Sequence, residues 1–335
     1  MLKISYIHFT LTLLLIAGCA VRQPAGDTSM EYARWFSLSG DTLVVISPYD
    51  GARDTTVLHT CSSLACMSSS HVGYLEFLGA DSIVTAVSGV NFLADDAVRS
   101  RAAEIGYDSS PDYEMLVNLQ PDYVLMYAIS SAPTQALMKL RDLGIPVIIL
   151  HEHLEPHPLG RAEYVKLFGR LAGCPEKADS VFTTVRDAYL AQVQPGNAKV
   201  LVNIPYGDQW YVPGSDNYLY RLITDAGGTI LGSAEGVQSS VISVEKAYTL
   251  SCEADFWLHP GWCTTKAELA AVHPLFANFP VLQKPVWNNT AQATPGGGNA
   301  FWESGPARPD LILRDLRSIF TSSPTDSLTY YIRLP

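Results

Sequence analysis

Several absences narrow the field before any motif is read. Only 16% of the 335 residues are charged, and basic residues are the scarcer kind: 22 Lys and Arg against 33 Asp and Glu, a net charge of -11. That balance excludes a nucleic-acid binder, which needs a basic face. With 47% hydrophobic residues, extended disorder is excluded too. Familiar catalytic signatures are missing. Gly296-Gly297-Gly298 lacks the Lys-Ser/Thr and the strand–loop–helix setting of a phosphate loop. No Gly-x-Ser-x-Gly elbow occurs. Cysteine is sparse, six in all. After Cys19 the rest are Cys61, Cys66, Cys174, Cys252 and Cys263, an odd set that leaves at least one thiol unpaired. Their spacings match no zinc pattern. Cys61–Cys66 and Cys252–Cys263 are possible local disulfides, with buried free thiols as the alternative.

What is present begins with a targeting segment, residues 1–19. Lys3 supplies a basic start and Leu11–Ile16 lie in a short apolar run. Ile16-Ala17-Gly18-Cys19 resembles the bacterial lipoprotein signal, which implies a lipid on the Cys19 thiol and cleavage before it. The chain is then exported, held on a membrane by its lipid and facing the periplasm. An ordinary signal peptide or an uncleaved anchor also exports it. Residues 20–59 read as a tether followed by short strands, Thr42–Ser47 and Thr55–His59.

The stretch Pro158–Val193 organises the rest. Leu159, Ala162, Val165, Phe168, Leu171 and Ala172 recur at helical spacing, and Gly173 and Pro175 interrupt them. Ala178, Val181, Val185, Ala188 and Tyr189 resume the pattern until Pro195-Gly196-Asn197. The reading is a helix up to Ala172 and a bridging helix from Pro175 to Val193, within residues 158–195. On either side lie blocks of alternating strands and helices, residues 60–157 and 196–320, with a tail at 321–335. In the first block Glu114-x4-Leu119 leads to Asp122 and DYVLMY; in the second, Glu245-x4-Leu250 leads to Asp255 and DFWLH. The expected fold is α/β: two lobes with mainly parallel sheets flanked by helices, joined by one long helix.

These segments, with SSSHVGYLEFLGADSIVTAV, PDYEMLVNLQ, WYVPGSDNYLYRLITDAGG, ISVEKAYTL and FWESGPARPDLILRDLRSIF, resemble bacterial ABC-transporter substrate-binding proteins of the iron-siderophore, haem and cobalamin class. The resemblance implies ligand in the inter-lobe cleft, small hinge motion about a stiff helix, and hand-off to a permease dimer with its ATPase, without catalysis or a catalytic cofactor. It favours an iron-siderophore, then cobalamin, then haem. It also implies that Glu114 and Glu245, one per lobe, meet arginines of the permease. Taken alone, each is also a first-turn carboxylate that favours the helix dipole.

Flat side chains suit an organic chelate. Candidate pocket residues are Asn91, Phe92 and Tyr127 from the first lobe, and Tyr206, Trp210, Trp262 and Trp302 from the second; core packing is the alternative for each. Arg308 is a candidate for an anionic group or a surface ion pair. His151-Glu152-His153, with Glu155 and His157, follows a strand, so alternating geometry would point His151 and His153 the same way. Metal or haem ligation by that pair competes with a polar, solvated connector. A metal-dependent hydrolase using His151–His157 and a non-transport scaffold lipoprotein are the readings from other classes.

Overall fold

The computed structural model describes residues 30–322 and 328–335. Cys19 and its targeting segment lie outside the described residues.

Alternating apolar runs build the first sheet. Its five strands stand in the order Val147–Leu150, Tyr123–Tyr127, Leu64–Cys66, Val84–Val87, Ala103–Glu104, all parallel. Successive side chains point to opposite faces. Leu64, Cys66, Tyr123 and Leu125 therefore join one core cluster, while Ala65, Met67, Val124 and Met126 join another. Both faces are covered, as a parallel sheet requires. The second sheet runs Gly228–Ile230, Ala198–Val202, Phe256–Leu258, Val286–Asn288, Ile332–Arg333, parallel except at its last pair. The stretch expected to be a tail thus completes this sheet, and Tyr330, Tyr331 and Leu334 are buried in its core.

Side-chain caps fix several helix starts. Asp112 accepts the Met115 amide, Asn217 the Leu219 amide and Ser243 the Lys246 amide. Ser68 precedes Ser69–Phe77 without capping it, because its hydroxyl pairs with that of Ser70. The polar stretch after Asn91, for which the sequence suggested no element, holds the helix Asp96–Arg101, capped by Asp95. The short strand Ser240–Ile242, also unanticipated, pairs antiparallel with Trp210–Val212.

The expected helix up to Ala172 is two, Pro158–Glu163 and Val165–Leu171. The bridge runs Pro175–Leu190, 16 residues, or about 24 Å. It stops three residues short of Val193. Its buried stripe is Ala178, Phe182, Val185 and Tyr189, at helical spacing. The first three belong to the core of the first lobe and Tyr189 to that of the second. Tyr189 also donates its hydroxyl to Asp225 Oδ2 at 2.7 Å. One helix is thereby seated in both cores.

The N-terminal strands Phe36–Ser39, Thr42–Ile46 and Arg53–Val57 form an antiparallel meander on the first lobe. All five downstream cysteines are free thiols, so neither possible local disulfide forms. Cys66 is buried inside its strand, while the Cys61 thiol turns to the His59 carbonyl.

Candidate functional site

Open parallel sheets bind ligands beyond the carboxyl ends of their strands, where strand order reverses. In the second lobe that point lies between Ala198–Val202 and Phe256–Leu258. The residues just past these strands, Asn203 and His259, have φ of +66° and +57°. Left-handed backbone at residues other than glycine is sparsely populated and concentrates at functional sites. Each is held in place. Asn203 Nδ2 donates to the Tyr211 carbonyl at 3.0 Å, and the Asn203 carbonyl accepts Trp257 Nε1 at 2.8 Å. His259 Nε2 lies 2.7 Å from the Tyr331 hydroxyl. Burial pushes the His259 imidazole down to about 4, so it is neutral near pH 7.

A cavity of about 530 Å³ opens at this reversal. Its wall includes Asn203, His259, Asn289, Asn299, Trp302 and Arg161. Arg161 comes from the helix Pro158–Glu163, which links the lobes. Its guanidinium lies 3.8 Å from the centre of the Tyr218 ring and donates to the His153 carbonyl. Its Nε is buried without a hydrogen-bond partner among the described residues. A cation, a neutral imidazole, three amides and an exposed indole suit an anionic, partly flat organic ligand.

A second cavity of about 410 Å³ lies where the lobes meet and is lined by Asn91, Phe92, Arg99, Glu104, Thr294 and Gly296. The Gly-rich loop is pressed against this wall. A Cβ on Gly298 would fall 1.6 Å from the Phe92 carbonyl oxygen, so only glycine permits the approach. Next to it, the buried Glu303 carboxylate accepts the Ala94 and Asp95 amides from the other lobe at 2.7 and 3.0 Å. Burial raises this carboxyl to about 7. A third cavity of about 270 Å³ separates the meander from the first sheet, with Tyr127 and His151 in its wall. The Tyr127 hydroxyl donates to Asp108 at 3.0 Å, and burial, then Asp108, pushes it up to about 12.

Of the sequence-based candidates, Asn91, Phe92, Tyr127 and Trp302 thus line cavities, but three different ones. Trp302 is 51% exposed and Phe92 43%. Tyr206 and Trp262, 84% and 73% exposed, stand outside these walls, although Gly261 next to Trp262 is part of one. Trp210 is core instead. It is fully buried against Trp257, Phe276 and Phe279, and its Nε1 donates to the Val202 carbonyl at 2.8 Å. Arg308 is already paired with Asp310 through two hydrogen bonds of 2.9 and 2.8 Å, which leaves it unsuited to a ligand anion. Glu114 and Glu245 are exposed in the first turns of Tyr113–Leu119 and Val244–Ser251. Hydrogen bonding to Ser243 lowers the Glu245 carboxyl.

The His151–His157 run is neither extended nor solvated. Its strand ends at Leu150, and Glu152–Leu154 form a 3-10 turn, so His151 and His153 are not alternating strand positions. His151, Glu152 and Glu155 are buried. The segment 31–35 covers the connector. Glu155 accepts the amides of Arg34 and Trp35, and Glu163 those of Glu31, Tyr32 and Ala33. Glu152 faces His71, with Oε1 3.5 Å from Nε2. Burial pushes His151 down to about 4.

Arg161, Asn203, His259 and Asn289 were not singled out from sequence. The available signal was the polar residue that ends each apolar strand of the second lobe: VLVN, FWLH and VWNN.

With this geometry in place, the comparisons with known proteins are consistent. Residues 64–293 match the periplasmic binding protein family, and the chain belongs to it. An uncharacterised lipoprotein of Methanocaldococcus jannaschii is 24% identical over 270 residues, 76% of this chain and 63% of the relative. The chain therefore spans less than two thirds of that relative's length. A periplasmic haem-binding protein from Pseudomonas aeruginosa has the same fold, with a TM-score of 0.60 at 18% identity over 82% of this chain and 98% of that one. The periplasmic vitamin B12-binding protein of Vibrio cholerae gives a TM-score of 0.57 at 14% identity over 79% of this chain and 98% of that one.

Proposed function

We propose that this protein is the substrate-binding lipoprotein of an ABC importer, which captures an anionic metal chelate in the inter-lobe cleft and delivers it to a permease. The observation that carries this reading is the wall around Asn203 and His259. It combines left-handed backbone at a strand-order reversal with a buried Arg161 Nε that has no hydrogen-bond partner among the described residues and an exposed Trp302. A ferric siderophore is the favoured cargo, because its donor-rich periphery suits three amides and a guanidinium. Haem and cobalamin are the competing cargoes, and solved proteins of this fold carry those two ligands in their names. The protein binds and hands off without covalent chemistry.

Two features support membrane attachment through Cys19. The segment ending at Cys19 resembles a lipoprotein signal, and relatives are named lipoproteins. Glu114 and Glu245 are proposed as the docking contacts, one for each permease subunit. In each lobe the helix bearing the glutamate precedes a strand paired with the first strand of its sheet. Such a helix runs back along the sheet, so its first turn lies at the cleft edge.

The test is a tryptophan-fluorescence titration of the detergent-solubilised protein with ferric siderophores, haem and cobalamin. Saturable sub-micromolar binding of a ferric siderophore, lost in Trp302→Ala together with Arg161→Ala, is the expected result. A flat response to all three refutes the reading, and tight binding of haem or cobalamin alone reassigns the cargo.

A further inference from the structure

The N-terminal edge of the first sheet, away from the cleft, carries three side chains that the binding function does not use. His59, Cys61 and Asp122 each offer one potential ligand atom, and these atoms lie within 4.8 Å of one another. His59 Nε2 is 3.5 Å from Asp122 Oδ1. The atoms on their far sides are already occupied. His59 Nδ1 is hydrogen-bonded to the Tyr123 hydroxyl at 3.0 Å, and that hydroxyl has the Val57 carbonyl as a second partner at 3.4 Å. Asp122 Oδ2 accepts the Ser62 and Ser63 amides at 2.7 and 3.0 Å and the Ser62 hydroxyl at 3.3 Å. Cys61 Sγ makes a weak contact to the His59 carbonyl at 3.4 Å. A metal-binding imidazole needs its other nitrogen fixed by such a partner, and a metal-binding carboxylate needs the same support.

The second lobe supplies an internal control. Asp255 stands before the corresponding strand and accepts the Lys199 amide at 2.9 Å, as Asp122 does for Ser62 and Ser63. Its outer oxygen faces the Lys284 ammonium at 3.8 Å. Bracing the first strand of a sheet therefore needs the carboxylate but neither an imidazole nor a thiol. Their addition at Asp122 is specific to the first lobe.

We infer that His59, Cys61 and Asp122 form a binding site for one zinc-class divalent cation, held by imidazole nitrogen, thiolate and carboxylate. Nitrogen, sulfur and oxygen donors in this number match a tetrahedral zinc ion that keeps one position for water. Solvent reaches the site past His59, whose side chain is 57% exposed. Sequence spacing did not disclose the site, because only His59 and Cys61 are near one another in the chain and Asp122 arrives from the bend before Tyr123–Tyr127. Without a cation, burial and then Asp122 push the Cys61 thiol up to about 12, so an incoming ion displaces a proton from sulfur.

Cobalt(II) is the probe. Full-length protein in detergent is stripped with a chelator, titrated with cobalt(II) and followed by absorption. The expected result is a thiolate-to-cobalt charge-transfer band that saturates at one ion per chain and is displaced by zinc. Cys61→Ser abolishes the band and Cys252→Ser leaves it unchanged. Tyr123→Phe, which frees the imidazole, weakens binding by about 10-fold or more. His59→Ala alters a largely exposed side chain, so the fold survives, and it weakens cobalt at least as much. Absence of the band, its survival in Cys61→Ser, or unchanged affinity in His59→Ala overturns the site and leaves His59 and Asp122 as an ordinary ion pair.

Discussion

The two lobes share a plan at their edges and differ where they face the cleft. Each sheet reverses strand order beside its first strand, each carries a carboxylate that braces that strand, and each presents a glutamate in the first turn of the helix before the strand paired with it. Their inner faces diverge. The second lobe ends its strands in Asn203, His259 and Asn289, around the largest of the described cavities. The first lobe is partly closed over by the meander, and Tyr49 ties that meander to the Ala128 carbonyl at 3.0 Å. The glutamates proposed to dock on a permease are duplicated. The strand-end residues proposed to meet the ligand are not. A duplicated fold can keep paired surface residues while the strand ends beside them specialise.

The largest expected effect separates core from cleft within the second lobe. Trp210→Ala should cost about 3–5 kcal/mol of stability, because it empties a site packed by three aromatic rings. Chemical denaturation measures it. Trp302→Ala should leave stability nearly unchanged and weaken chelate binding by roughly 10-fold, or about 1.4 kcal/mol. If the two variants exchange phenotypes, the division between core and cleft is wrong. Next is the bridge. Tyr189→Phe removes the hydrogen bond to Asp225, which Arg221 also pairs, and should cost about 1 kcal/mol. A loss confined to the second lobe in hydrogen exchange would show that the helix does not couple the two.

The smallest effect concerns pH at the lobe junction. Burial raises Glu303 from an ordinary 4.5 to about 7. The folded state therefore binds more protons than the unfolded state between those values. Its contribution to stability is complete below the ordinary carboxyl range and is lost as pH rises through about 7. Glu303→Gln cannot ionise, so its melting temperature relative to the parent should be higher at pH 8 than at pH 5. An equal difference at both values would contradict the raised carboxyl. His151, His157 and His259 act oppositely, because burial pushes each down to about 4. Their stabilisation is present above the ordinary imidazole range and is lost as pH falls toward 4.

Local chemistry was legible in the sequence. Asp112, Asn217 and Ser243 are short polar residues of the kind that favour helix starts, and each caps one, while the strands DYVLMY and DFWLH occupy matching places beside the first strand of each sheet. The alternation of elements carried the fold, because parallel sheets need helical crossovers. What failed depended on distant partners. Trp210 was read as a pocket residue, since a short strand does not disclose which face is buried. His151–His157 was read as solvated because nothing nearby announces that residues 31–35 fold back over it, more than a hundred positions away in sequence. Arg308 was read as meeting either a ligand anion or a surface ion pair, and Asp310 two residues on decides for the pair by engaging its Nε and Nη2. The cleft residues Asn203 and His259 were overlooked because their strand-end position gains meaning only once strand order is known.

Docking through Glu114 and Glu245 and ligand capture at the Asn203–His259 wall are proposed as separable functions. The most direct measurement compares Glu114→Ala/Glu245→Ala with the parent in two assays, cellular uptake of the chelate and equilibrium binding to the purified protein. The account predicts that uptake is abolished while affinity is unchanged. Normal uptake by the double variant contradicts it.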